Sequence, residues 1–146
     1  MKILVIGGCG YIGAVLCPHF LSDGHTVTAF DAMLFGDGGL PKENGRMFIV
    51  KGDIRDQGAV EKACEGQDAV VYLAGITNND ICDKPEAVGI NTTAFPLTIA
   101  AAKRSGVCRF VLASSVAVYG SSNGSHELTE NDILLPTTKY AQGKHF

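Results

Sequence analysis

Several absences narrow what this 146-residue chain can be. No run of apolar residues approaches the roughly 18 needed to cross a bilayer, and the run behind Met1-Lys2 is too short for the core of a signal peptide. The sequence therefore reads as a soluble protein with the cytoplasm as its expected compartment. Clustered Lys or Arg is missing as well: the net charge is -3 and the pI about 5.7, which leaves no basic field for nucleic acid and points to a small molecule as partner. There is no C-x-x-C pair. The five cysteines, Cys9, Cys17, Cys64, Cys82 and Cys108, are odd in number and scattered, so reduced thiols at core or half-buried positions are expected rather than disulfides or a metal site. Internal repeats and low-complexity tracts are also lacking. What remains is one domain's length, residues 1–146, with 46% hydrophobic residues to fill a core.

Glycine, by contrast, is plentiful and placed. Gly7-Gly8-Cys9-Gly10-Tyr11-Ile12-Gly13 follows directly on the apolar run Ile3-Leu4-Val5-Ile6. A buried strand that ends in glycines and runs into helix-like sequence makes a turn tight enough for a pyrophosphate to lie against backbone N–H groups at the helix N-terminus. Two registers fit: Gly8, Gly10 and Gly13 satisfy G-x-G-x-x-G, and Gly7, Gly10 and Gly13 satisfy G-x-x-G-x-x-G. In both, Gly10 lets backbone approach phosphate and Gly13 lets the helix pack close to the strand. Glycine clusters also make ordinary loops, so the choice falls to the residues beyond the turn.

A helix is expected over Tyr11–Leu21 despite Pro18, then a strand, Thr26–Phe30, closed by Asp31. Asp31 lies 21 positions beyond Gly10, where a carboxylate meets the adenosine ribose hydroxyls in a βαβ nucleotide fold. No Arg or Lys follows through Gly39 to greet a 2′-phosphate, which favours NAD over NADP. Residues 32–46 have the composition of a mobile surface loop. Met47–Val50 reads as a third strand, followed by Gly52-Asp53-Ile54-Arg55-Asp56 and a helix through Glu65; Asp53 on its own could be a helix N-cap. Asp68–Gly75 has the continuous apolar character of a parallel strand buried on both faces. A polar loop, residues 76–84, leads to a long helix from Pro85 to about Ser105, with Ile90, Phe95, Leu97, Ile99 and Ala102 on its buried face and a bend expected at Pro96. A fifth strand, Arg109–Ser114, precedes a Gly/Ser-rich loop over 120–125, an acidic stretch and a final helix after Pro136. Strands alternating with helices predict a Rossmann-type, doubly wound parallel α/β sheet of order 3-2-1-4-5.

Two features fall where such a sheet holds its ligands. Ser114-Ser115 end the fifth strand, and Tyr140 and Lys144 stand four apart at the start of a helix, on one face. A tyrosine of pKa about 10 is a poor acid or base at neutral pH, and a neighbouring ammonium favours its phenolate. Ser115 could hold a substrate oxygen that gains or loses a proton while hydride moves at the adjacent carbon. A Tyr/Lys pair alone is an ordinary helix surface; with the glycine turn and Asp31 it reads as a catalytic set.

Together the glycine turn, Asp31, Gly52–Asp56, Leu73-Ala74-Gly75, Asn91, Ser114–Gly120 and Tyr140 with Lys144 resemble the N-terminal portion of an extended short-chain dehydrogenase/reductase, the NAD-dependent epimerase/dehydratase family, whose best-known member is UDP-galactose 4-epimerase. The resemblance implies backbone N–H groups of Tyr11 and Ile12 on the pyrophosphate, Asp31 on the ribose, and Asp53 with Ile54 at the adenine. It also implies Leu73, Ala74 and Gly75 along the path to the nicotinamide ribose, Asn91 as support, and a Ser115, Tyr140, Lys144 triad with Lys144 also on that ribose. The implied substrate is a nucleotide sugar, and the implied activity that of an epimerase or related oxidoreductase. The chain departs from the family pattern in three places. Val116-Ala117 stands where dehydratases commonly carry Asp-Glu, which disfavours dehydration. Ile76-Thr77 stands where epimerases often carry a Lys. The family's last strands and C-terminal substrate lobe do not follow the Tyr/Lys helix, so a domain incomplete at that end is expected, with a weakened homodimer and binding without turnover as the alternative for this form. A structural protein that has lost its chemistry is the third reading, against which the Ser115, Tyr140, Lys144 set stands.

Overall fold

The computed structural model describes residues 1–41, 45–77, 81, 84–120 and 127–145. Five parallel strands, β1 (Lys2–Ile6), β2 (Thr26–Asp31), β3 (Met47–Lys51), β4 (Ala69–Tyr72) and β5 (Arg109–Leu112), form one sheet in the order β3-β2-β1-β4-β5. Leu4 pairs with Thr28 on one side and Val70 on the other. The central strands read as near-continuous apolar runs because both faces are covered: every residue of β4 and the last four of β1 are buried. Alternating side chains divide between two cores. Leu4, Ile6, Phe30, Val70 and Tyr72 pack under the helices α2 (Gln57–Cys64) and α4 (Ala94–Arg104). Ile3, Val5, Val27, Ala29 and Val71 pack under α1 (Tyr11–Ser22). The edge strands β3 and β5 are half exposed.

Several local expectations are corrected. The N-cap of α2 is Asp56, whose carboxylate accepts from the Ala59 N–H at 3.1 Å; Asp53 instead turns back on Arg55. The long helix is not uniform. Its first turn, α3 (Pro85–Val88), passes into a π-helical turn, Gly89–Thr93, before α4 begins. The Ala94 N–H reaches back five residues to the Gly89 carbonyl, and this wider turn lies just ahead of Pro96, which has no N–H for a regular helix. The extra residue rotates α4 relative to a continuous helix, by about 100° per residue. Within α4, Phe95, Thr98, Ala101 and Ala102 are buried, while Leu97 and Ile99, about 200° apart around the helix, are exposed at the two edges of that face. The last helix, α5 (Lys139–Gly143), begins three residues past Pro136. Cys9, Cys17 and Cys64 are free and buried, whereas Cys108 is exposed. Cys82, parts of the loop over 76–84, and residues 121–125 of the Gly/Ser-rich loop lie outside the described residues. Among the described residues no helix is long and apolar enough to cross a membrane.

Candidate functional site

β1 ends in a turn that only glycine can build. Gly7 has φ +81°, and a Cβ there would lie 2.7 Å from the Ala74 backbone nitrogen. The exits of β1 and β4 therefore touch backbone to backbone at the point where the strand order reverses, the place where open α/β sheets bind ligands. A Cβ on Gly13 would lie 2.3 Å from the Gly8 carbonyl oxygen, so α1 rests directly on the turn. Gly10 is different: among the described residues its Cβ would meet only the Gly7 oxygen, at 3.3 Å, and its bareness leaves the open side of the turn clear. Gly10 is the N-cap of α1, there is no side-chain cap, and no acid occupies the first turn. Tyr11 and Ile12 carry their side chains outward, 95% and 57% exposed. Among the described residues no side chain caps the first N–H groups of α1, which point along the helix axis out of its N-terminus, as a pyrophosphate requires.

Asp31 flanks this turn at the end of β2. Its carboxylate accepts from the Cys9 N–H at 3.0 Å and the Met33 N–H at 2.8 Å, and each oxygen retains acceptor capacity. The loop beyond β2 folds back over the turn: a Cβ on Gly38 would lie 2.5 Å from the Cys9 carbonyl, and Leu40 is buried beside Cys9. Burial, then the charges of Asp31 and Asp37, push the Cys9 thiol up to about 11, so it stays protonated. Beyond β3, Asp53 is gripped by the Arg55 guanidinium, with contacts of 3.0 and 2.5 Å. The hydrogen bonds from Arg55 hold its carboxyl below the usual range. The Ile54 side chain belongs to the core.

The other flank is assembled from three elements. Leu73 continues the pairing with β1 through a 2.8 Å bond to the Ile6 carbonyl. Asn91, buried in the π turn, clasps the backbone of Ile76, accepting from its N–H at 2.8 Å and donating to its carbonyl at 3.0 Å. Gly143 of α5 packs on the Asn91 carbonyl so closely that a Cβ would be 2.2 Å away. Thr138 caps α5 through the Ala141 N–H at 3.1 Å, and Lys144 comes directly after the helix. Lys144 is 5% exposed. Its Nζ donates to the Ala74 carbonyl at 3.2 Å and lies 6.0 Å from the centre of the Tyr140 ring. A Cβ on Gly75 would sit 3.3 Å from that Nζ. Burial lowers the Lys144 pKa. The two adjacent serines divide: Ser114 donates to the Lys144 carbonyl at 2.9 Å, while Ser115 accepts from the Ala117 N–H at 3.2 Å and caps the 3-10 turn Val116–Tyr119.

The structure thus gathers Leu73, Ala74, Gly75, Asn91, Tyr140 and Lys144 around one corner, with Ser115 next to the serine that holds Lys144. Asp31, Asp53 and Ile54 lie at the exits of β2 and β3, on the opposite side of the glycine turn. The sequence pattern alone assigns no role to Ser114, Tyr72, Arg55, Gly38 or Thr138. Thr138 carried a legible signal, a hydroxyl residue three positions before a helical Ala. The Ser114 bond spans 30 residues and leaves no local trace.

The model of the NAD dependent epimerase/dehydratase family matches residues 3–146. The chain belongs to this family. Among the epimerase/dehydratase relatives, it is 32% identical to the UDP-glucose 4-epimerase of Streptomyces lividans over 98% of this chain and 44% of that protein. It is 33% identical to the dTDP-glucose 4,6-dehydratase of Streptomyces niveus over 99% of this chain and 46% of the relative. The dTDP-glucose 4,6-dehydratase DesIV of Streptomyces venezuelae, solved with NAD and TYD bound, superposes with a TM-score of 0.88 at 29% identity, over 99% of this chain and 48% of that one. The chain spans less than half the length of these epimerase/dehydratase relatives. Its sheet order is the Rossmann-type order expected from the alternation of elements.

Proposed function

We propose that this chain is the NAD-binding part of a nucleotide-sugar epimerase, or of a related oxidoreductase of the same family. One observation carries the reading: the uncapped N-terminus of α1 lies at the reversal of strand order, with carboxylates at the exits of β2 and β3 on one flank and the Tyr140–Lys144 corner on the other. From β2 to β5 in the order 2-1-4-5 there are three inter-strand steps of about 4.8 Å, roughly 14 Å along the carboxyl edge, a stretch suited to an extended dinucleotide. Backbone N–H groups of Tyr11 and Ile12, with Gly7, Gly10 and Gly13, would cradle the pyrophosphate. Asp31 would hold the adenosine ribose through its remaining lone pairs, and Asp53, oriented by Arg55, would meet the adenine together with the backbone at Ile54. Leu73, Ala74 and Gly75 would line the way to the nicotinamide ribose, with Asn91 fixing that segment and Lys144 reaching the ribose.

NAD, when bound, supplies an acceptor and donor of hydride. The chain's own residues would do the rest. Tyr140 would take a proton from a substrate hydroxyl and return it, helped by the Lys144 ammonium, which favours the phenolate. Ser115 accepts from Ala117 N–H, so its own proton is available to the substrate oxygen. Val116-Ala117 offers no acid-base group for eliminating water, which favours epimerisation, the activity named for the Streptomyces lividans relative, over dehydration. Because the chain covers less than half of that protein, we propose that the 146 residues alone bind NAD without turnover. Reduced scattered cysteines suit the cytoplasm, and the exposed Leu97 and Ile99 of α4 suit a weak homodimer, measurable by sedimentation.

Titrating the chain with NADH, followed by nicotinamide fluorescence, should give saturable binding that is weaker for NADPH. Absence of saturation would sink the reading. In any longer form that interconverts UDP-sugars, Tyr140→Phe should lower kcat by about 10²–10⁴-fold with NADH affinity little changed.

A further inference from the structure

Tyr72, the last residue of β4, belongs to no motif, yet it stands directly behind the Lys144 corner. It is 2% exposed. Its ring meets Phe95 of α4 edge-on at 5.3 Å and stacks against Phe110 of β5 at 6.2 Å, so three elements fix its plane. Its hydroxyl is buried and, among the described residues, has no hydrogen-bond partner. A phenol left in this way is less stable than a phenylalanine of the same shape, so the hydroxyl does not explain the ring's place.

The ring face does have a neighbour. The Lys144 ammonium lies over it, 5.8 Å from the centroid. That ammonium is buried, and among the described residues it donates to one neutral acceptor, the Ala74 carbonyl, and is in no ion pair. A buried ammonium with three donors and one acceptor needs another source of negative potential. Aromatic faces supply it, and a desolvated cation gains most from them. Tyr140 presents a second ring at 6.0 Å, but on a helix of five residues; Tyr72 is set in the core. We propose that Tyr72 is a positioning residue for Lys144: the face of its ring holds the ammonium beside the Ala74 carbonyl, and its hydroxyl takes no part.

Functionally, the inference rests on the reading of Lys144 as the group that faces the cofactor. The ring keeps the ammonium charged against the burial that lowers its pKa. Two phenols face that ammonium, Tyr72 from β4 and Tyr140 from α5; the π turn and the β4 exit offer the neutral Asn91 and the Ala74 carbonyl. Burial pushes the Tyr72 phenol upward, so it does not compete for the proton.

The test is a pH titration of the Lys144 ε-carbon resonance in the ¹³C-lysine-labelled chain without cofactor, the signal assigned with Lys144→Arg. Tyr72→Phe, which keeps the ring, should leave the midpoint in place. Tyr72→Met, which fills the space without a ring, should lower it by about half a pH unit. A Tyr72→Met midpoint equal to that of the parent, even with a lowered melting temperature, overturns the proposal, and so does an equal shift in both variants. If Tyr72→Met does not fold, nuclear Overhauser contacts between the Lys144 ε protons and the Tyr72 ring in the unsubstituted chain support the proposal by their presence and overturn it by their absence. Failure of that chain to bind NADH refutes the function proposed above and leaves these readouts untouched.

Discussion

A methyl group added at Gly13 would have to enter the space of the Gly8 carbonyl, 2.3 Å away, and both partners are backbone, so neither can rotate aside. Gly13→Ala should therefore cost about 1–3 kcal/mol of stability through overpacking, measurable by urea denaturation, and should abolish NADH binding as the turn shifts. Gly10→Ala separates the two jobs of this motif. Among the described residues its Cβ meets only the Gly7 oxygen at 3.3 Å, so the loss of stability should stay below about 1 kcal/mol, while NADH binding falls as steeply as in Gly13→Ala if backbone is to meet phosphate there. NADH binding by Gly10→Ala equal to that of the parent would show that this glycine serves folding alone. These positions were legible from spacing because glycine leaves few reasons for its presence at such intervals. The place of Asp31 beside that turn was legible from its distance down the chain, its role at the ribose being a proposal. Asp53 was not: Asp53 and Asp56 offer the same chemistry in the sequence, and only the structure shows that Asp56 caps α2 while Asp53 turns to Arg55. Ser114 was hidden for a different reason, since its partner, the Lys144 carbonyl, is brought to it by the tertiary fold.

The long helix shows where periodicity misleads. Leu97 and Ile99 stand about 200° apart on a 3.6-residue helix, at opposite edges of the face that Phe95, Thr98 and Ala102 bury, so counting apolar residues without that angle places both inside although both are exposed. The π turn at Gly89–Thr93 is a second departure from the pattern. Nothing in local propensity signals such a slip, because what it gains is tertiary: it carries Asn91 inward to clasp Ile76 and offers its carbonyl to Gly143. Asn91→Leu leaves the Ile76 N–H and C=O without these partners and should cost about 1–3 kcal/mol, read as a lower melting temperature. Thr138→Ala should cost about 1 kcal/mol by uncapping α5. Since α5 and the π turn meet at Gly143, the double variant should cost less than the sum of the two single changes. Strict additivity in urea denaturation would show that the two elements do not support each other.

Across the whole chain, the order β3-β2-β1-β4-β5 followed from alternation of strand-like and helix-like segments, and the sheet bears it out. Alternation says nothing about which titrating groups the layers enclose, and these set how stability depends on pH. Burial pushes the thiols of Cys9 and Cys64 up to about 11 and that of Cys17 to about 12, from an ordinary value of 9.0. Between 9 and these values the folded chain holds protons that the unfolded chain releases, so this contribution is fully present below pH 9 and is lost as pH rises towards 12. Lys144 acts in the opposite sense. Its folded pKa lies below the ordinary 10.5 because burial disfavours the ammonium. At neutral pH both states carry the proton and the folded state bears the cost of enclosing it; that cost is relieved as pH rises through the folded value and is gone above 10.5. Lys144→Met should therefore melt above the parent at about pH 7, and the gap should narrow as the pH is raised towards 10.5, against the common decline that the thiols impose. Cys17→Ala should flatten that decline between about pH 9 and 11 without altering the Lys144→Met gap. Melting curves that stay parallel for parent and Lys144→Met across this range would mean that Lys144 is not enclosed as a cation, and the corner built around it would then lack the charge that its proposed chemistry requires.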